Sequence, residues 1–324
     1  MSYIALLIAI CLETFLPDGF LTRVETWVNR FNQELEVNLD ALGAPSYVYL
    51  QWWIPLLIWV FGIYFAHQIL WVVSPLIAVL LSVTLLLYGI RFKHFAVVFT
   101  NVQLFLNQGD FLRARELFLL WMKKYDGIEY PIHRPKELIF QAIHHGTERA
   151  LSQYFSLFFW FFLLPGPLGL VIYLITHWSV IRERDIENIQ TFSHESLSMQ
   201  QAWEKSKIRA ALSPRFVLFA LEWMPSRLLA FTVGLLSQLD DSALVWRTAR
   251  NQSYFSNRAP LVAVVFTAVG LSGNSAVGPI AKSTADMDVS SEDNHVQALQ
   301  QFRQLIFKCA VVWLLVTLML VLLN

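Results

Sequence analysis

The chain has 324 residues, 56% hydrophobic and 15% aromatic, and only 15% are charged, well under the roughly 25% charged of soluble globular domains. Twenty-four basic and 24 acidic side chains balance to zero formal net charge, so neither a charge excess nor a basic, aromatic-interleaved patch points to nucleic acid or an acidic substrate. The class left is an all-α, polytopic membrane protein, in which 12 Trp and 10 Tyr suit the interfacial belts of the bilayer.

In chain order, residues 3–16 form a short first span. No basic region precedes them and no small-residue cleavage site follows, so they read as a retained helix and not a cleaved signal. A span needs about 20 apolar residues, and 47–66 and 69–90 supply two, joined at His67 and Gln68 as a tight helical hairpin. Residues 155–178, "FSLFFWFFLLPGPLGLVIYLITHW", are long enough to cross, but Pro165-Gly166-Pro167 predicts two half-helices. Residues 216–236 contain Pro225, which has no N–H to give to the Leu221 carbonyl, and read as a second partly embedded, broken element. Residues 306–324 carry the last span. Two Arg lie in 17–46, none at the 67–68 turn, and 21 Lys and Arg in 91–305. That asymmetry places the long segment in the cytoplasm and the N-terminus outside. The predicted organisation is an N-terminal membrane region over 1–90, a mainly cytoplasmic helical region over 91–305 with two embedded elements, and a C-terminal span, about four spans in all.

Within the long segment, "GDFLRARELFLLWMKKYDG" predicts an amphipathic helix capped by Asp110, with Phe111, Ala114, Leu117, Phe118 and Trp121 on one face. Residues 179–210 read as polar helix, 259–284 as a buried strand or half-helix, and 283–295 as an acidic loop.

Several patterns bear on chemistry. Gly273 and Gly278 have P-loop spacing, but Pro279 stands where the phosphate-binding lysine belongs and Lys282 comes too late. His144 and His145 read as helix surface without a ligand-spaced carboxylate, so no metal site is expected. Cys11 and Cys309 lie in apolar runs and read as small buried hydrophobes. No Gly-x-Ser-x-Gly or His-Glu-x-x-His supports hydrolase chemistry.

Ionisable groups within apolar segments are the stronger signal, because burying one costs at least about 2.5 kcal/mol on insertion scales. Glu13 lies near the end of the first span. Glu222 and Arg227 lie deep in theirs, about 140° apart around a helix and so not an internal ion pair; Arg227 is one turn from Trp223, within cation–π reach. Structural pairing and ligand contact are both open to them. Arg247, Arg250 and Arg258, interleaved with Asn251 and Asn257, form a basic, amide-bearing loop, either a positive-inside flank or a seat for an anionic small molecule or lipid headgroup.

Four stretches together resemble the cobinamide-phosphate synthases (CobD/CbiB) and AmpE, the membrane protein linked to β-lactamase induction. They are "GDFLRAREL" (109–117), "FFWFFLLPGPLGLVIY" (158–173), "LEWMPSRLLAFTVGLL" (221–236) and "RTARNQSYFSNRAPLVAVVFTAVGL" (247–271). Their order along most of the chain carries the likeness. The synthases' Glu-Asn-x-x-Asp-Gly signature is reduced here to Glu148 in "ERALSQYFS", and Thr248 stands in place of an Asp. With these losses and "LEWMPSRL", the chain is more similar to the AmpE-like branch.

The resemblance implies a multi-pass protein of the bacterial inner membrane with a regulatory or sensory role at the cell envelope. The alternative it implies is adenosylcobinamide-phosphate synthase, an amide-forming enzyme of cobalamin biosynthesis, and only that alternative calls for ATP and Mg. Candidate ligand-binding residues are Glu13, Glu148, Glu222, Arg227, Arg247, Arg250 and Asn257. The partners expected are the lipid bilayer, an anionic small molecule or headgroup, and copies of the chain in a homo-oligomer, with no nucleic acid.

Overall fold

The computed structural model describes residues 2–15, 53–90, 92–126, 132–164, 167–191, 214–252, 256–271 and 292–323, with isolated positions 26, 30, 31 and 34. Every described element is helical, and none of the described residues is in a strand. The chain divides into two compact units, one of 1–91 with 157–221 and one of 92–156 with 222–324.

The first unit holds α1 (Ser2–Phe15), α2 (Trp53–Val73), α3 (Pro75–Gly89), α7 (Ser156–Leu163, from Leu157) and α8 (Leu168–Thr191). Helix α2 runs unbroken through His67 and Gln68, so the hairpin expected there is corrected. The break is at Ser74, which is extended (φ −162°, ψ 117°) because the ring of Pro75 disfavours helical angles in the residue before it. Helix α1 packs on α3. Each buries small residues one turn apart, Ala5 and Ala9 on α1 and Ala78 and Ser82 on α3, a spacing that lets membrane helices approach closely. Phe61, Phe65, Ile69 and Val72 stay exposed on α2, an apolar face suited to lipid.

The Pro-Gly-Pro stretch separates α7 from α8, as the sequence predicts. A Cβ on Gly169 would run into the backbone carbonyl of Trp160, so the two helices meet more closely than any side chain allows.

The second unit holds α4 (Phe92–Asn107), α5 (Phe111–Asp126), α6 (Pro135–Ala150), a π-helical turn (Leu151–Phe155), the larger part of α9 (Pro214–Leu236), α10 (Leu239–Gln252), α11 (Arg258–Ala268) and α12 (Glu292–Leu323). Asp110 caps α5 by accepting the Arg113 N–H at 3.2 Å, with Gly109 turning the chain at φ +76°. Ala114, Phe118 and Trp121 are buried on the expected face. An aromatic cluster ties α4, α5 and α12 together: Phe95 stacks on Phe99 at 4.3 Å, and Phe99 meets Trp121 at 5.5 Å and Phe302 at 5.7 Å. Such pairs add about 0.5–1.5 kcal/mol each beyond area burial.

Four helical stretches among the described residues are long and apolar enough to cross a membrane: Trp53–Val73, the stretch Pro75–Asn107 that holds α3 and α4, Pro214–Leu236 and Val296–Leu320. The chain is an all-α polytopic membrane protein. Three expectations change in detail. Residues 3–16 give a shorter apolar helix, Tyr3–Phe15, while Pro214–Leu236 has full crossing length and continues through Pro225. Of the strand or half-helix expected from 259, the helix forms, up to Ala268, and helix α12 already begins at Glu292, inside the expected acidic loop. Gly273, Gly278, Pro279, Lys282 and Ser283 lie outside the described residues. Both thiols are free; Cys309 is buried as expected, whereas Cys11 is on an exposed face of α1.

A candidate functional site around Arg258

Helix α9 survives its proline because the groups that Pro225 disturbs find other partners. The carbonyl of Leu221 accepts the indole N–H of Trp160 at 3.0 Å. Two residues further on, the carbonyl of Trp223 accepts from Ser226 Oγ at 3.1 Å and from Arg227 Nη1 at 2.8 Å. The helix is therefore continuous where a break was expected.

Glu222 is buried, and its partner is Arg258, 36 residues away: Nε donates to Oε2 at 2.9 Å and Nη2 to Oε1 at 2.6 Å. A planar guanidinium matches a carboxylate in this two-bond geometry, and charge-assisted bonds of this kind are the strong ones. With side chains only 4% and 20% exposed, the pair lies in a setting where removing one partner costs about 3–5 kcal/mol. The basic loop expected over 247–258 is resolved differently, since Arg247, Arg250 and Asn251 lie on α10 and Arg258 begins α11, and these two helices pack together.

Arg227 follows the sequence reading. Its guanidinium sits 3.9 Å from the centre of the Trp223 ring and 5.8 Å from that of Trp246, and Nη1 approaches Asn257 Oδ1 at 3.5 Å. Among the described residues no carboxylate pairs with it, and the like charge of Arg250 acts on it. Arg247 and Arg250 are exposed on α10, whereas Asn257 is buried.

Glu148 lies on α6 within reach of the same network. It stands one turn beyond His144 and His145, with Oε1 3.9 Å from His144 Nε2 and Oε2 3.6 Å from His145 Nδ1. Burial alone would raise its carboxyl, but the His145 imidazole and the positive Arg258, with His144, outweigh that and hold it well below the usual carboxylate range. Burial pushes the His144 imidazole down, against the pull of Glu148, and His145 and Arg258 push the same way. The expectation that these histidines lack a ligand-spaced carboxylate is thus corrected: one ligand atom from each of His144, His145 and Glu148 lies within 4.8 Å of the others.

The second unit therefore gathers Glu148, Glu222, Arg227, Arg250 and Asn257, together with Arg258, into a linked set. Arg247 lies on the same helix as Arg250. Glu13 belongs to the first unit, where it is buried in α1. Sequence reasoning missed Arg258 as the counter-ion of Glu222, which no short-range pattern signals, and the His144–Glu148 spacing of four residues, which was there to be seen. No protein-family model matches this chain, and no curated protein or solved structure matches it either.

Proposed function

We propose that the chain is a multi-pass protein of the bacterial inner membrane, of the AmpE-like branch, with a regulatory or sensory role at the cell envelope. It senses a phosphate-bearing anion, carried by a lipid headgroup or a free small molecule, at Arg227 and Arg250. The observation that carries this reading is the division of labour among the arginines. Arg258 is neutralised by Glu222, whereas Arg227, held over Trp223 beside Asn257, meets another positive charge and no carboxylate among the described residues. An arginine in a span-length apolar helix is costly and marks a task or a partner, and an arginine fork beside an amide is suited to a phosphate. The regulatory half rests on the resemblance, in particular on the acidic positions that the synthases have and this chain lacks. The 12 Lys and Arg of residues 108–213, between the crossing-length stretches Pro75–Asn107 and Pro214–Leu236, support a cytoplasmic placement of that part of the chain.

The synthase alternative draws on one observation, that Glu148, the acid kept from the synthases' signature, is placed beside His144 and His145. Genetics separates the two. Deletion of the gene should alter β-lactamase induction, with wild type restoring it and Arg227→Gln failing to, while neither supports growth on cobinamide of a strain lacking the synthase. Rescue of that growth would overturn the regulatory reading in favour of the enzyme.

A further inference from the structure

We propose that α6 carries a site for a borderline transition-metal ion, zinc(II) by preference, held by His144, His145 and Glu148. The three ligand atoms lie within 4.8 Å of one another. The His–Glu separations of 3.6 and 3.9 Å are too long for formed hydrogen bonds. They are close to the separation of about 3.3 Å that two ligands, each bound at about 2.0–2.1 Å, take around one tetrahedral zinc. The two distances run to different carboxylate oxygens, and the widest separation in the set, up to 4.8 Å, closes by about 1.5 Å around a shared tetrahedral ion, a change that side-chain rotamers of His144 and Glu148 supply.

The surroundings favour a ligand over a plain ion pair. Of the two carboxylates near Arg258, Glu222 takes both of its forked hydrogen bonds. Among the described residues, the ion-pairing partners of Glu148 within 4 Å are the two imidazoles, His144 and His145. Gln141 lies one turn before His144 and His145, on the same face of α6. It is 9% exposed, and its Oε1 is buried with no hydrogen-bond partner among the described residues, a spare oxygen where a helix facing α11 and α12 would otherwise bury an apolar side chain. The helix then passes directly into the π-helical turn Leu151–Phe155, a departure from regular winding that occurs often at functional sites. Two imidazoles and one carboxylate are a donor set suited to zinc, with a fourth position left for water or another group.

The test of this metal site is titration of the full-length, untagged protein in detergent with Zn(II) against a chromophoric chelator, alongside Co(II) absorption spectra. The expected result is one zinc per chain, a tetrahedral Co(II) spectrum, and affinity at least about tenfold weaker in both His144→Asn and Glu148→Gln. His144 is partly exposed, so its replacement spares the core, and the Co(II) spectrum of the wild type reads the ligand set without any variant. Absence of stoichiometric zinc in the wild type, an octahedral Co(II) spectrum, or unchanged affinity in both variants would overturn the assignment.

Discussion

The indole N–H of Trp160 reaches the carbonyl oxygen of Leu221 at 3.0 Å, the acceptor that Pro225 leaves without its helical donor. A carbonyl orphaned inside a membrane costs several kcal/mol, so the side chain substitutes for a backbone bond.

That substitution predicts a coupling. Trp160→Phe keeps an aromatic ring and removes the donor, and should destabilise the protein by about 1–3 kcal/mol. In a Pro225→Ala background the restored N–H of residue 225 serves Leu221, and Trp160→Phe should cost less by about 1 kcal/mol or more. Reversible unfolding of the four proteins in mixed micelles measures the cycle; strictly additive costs would show that the indole bond and the proline are unrelated.

Glu222 and Arg258 should behave as a pair. Glu222→Gln leaves a largely buried guanidinium without its counter-charge and should cost about 3 kcal/mol or more, as should Arg258→Gln. The double variant should be more stable than the sum of the two losses predicts, because neither charge is then stranded. The same unfolding assay reads this, and additivity would show that the two charges are independent.

Two glycines in helices should respond oppositely to alanine. At Gly169 the new Cβ would strike the Trp160 carbonyl, a backbone atom with little room to yield, whereas at Gly62 nothing lies within 4 Å. Gly62→Ala should be neutral or stabilising by up to about 1 kcal/mol through helix propensity. Gly169→Ala should destabilise by about 1–3 kcal/mol. Thermal denaturation of both in one detergent compares them directly.

Acid should unfold the metal-free protein in two stages. The His144 imidazole is held below its ordinary 6.5, so the unfolded chain binds the extra proton first and stability falls as pH drops through that value. Glu148 is held below its ordinary 4.5; its contribution is present above that pH and is lost as pH falls further. In the presence of chelator, His144→Asn should flatten the melting-temperature profile between pH 7 and 5, and Glu148→Gln should flatten it below 4.5. Profiles parallel to wild type would contradict both assignments.

What the sequence made legible follows the range of the forces involved. Apolar runs long enough to span, the Pro-Gly-Pro interruption between α7 and α8, the Asp110 cap and the Arg227–Trp223 contact are all set by residues within a turn or two of each other. The break before Pro75 was also local, but the polar pair His67-Gln68 drew the turn six residues too early; a helix in a membrane carries two polar side chains more easily than it carries a proline's missing hydrogen bond. Pro225 shows the opposite error, since its effect on α9 is decided by Trp160, 61 residues before Leu221. Glu222 found its base across 36 residues, where spacing rules have no reach.

Arg227 and Arg250 should together hold a phosphate group, and direct binding to purified protein in phosphatidylcholine nanodiscs tests this. Inorganic phosphate is titrated in one arm, and phosphatidylglycerol is incorporated into the discs in the other, with bound phosphorus counted in each. Binding is predicted in at least one arm, which names the source of the anion. It should be weakened at least about tenfold by Arg227→Lys, which cannot form the planar fork, and lost in Arg227→Gln with Arg250→Gln. No binding in either arm, or equal binding by wild type and the double variant, would contradict it.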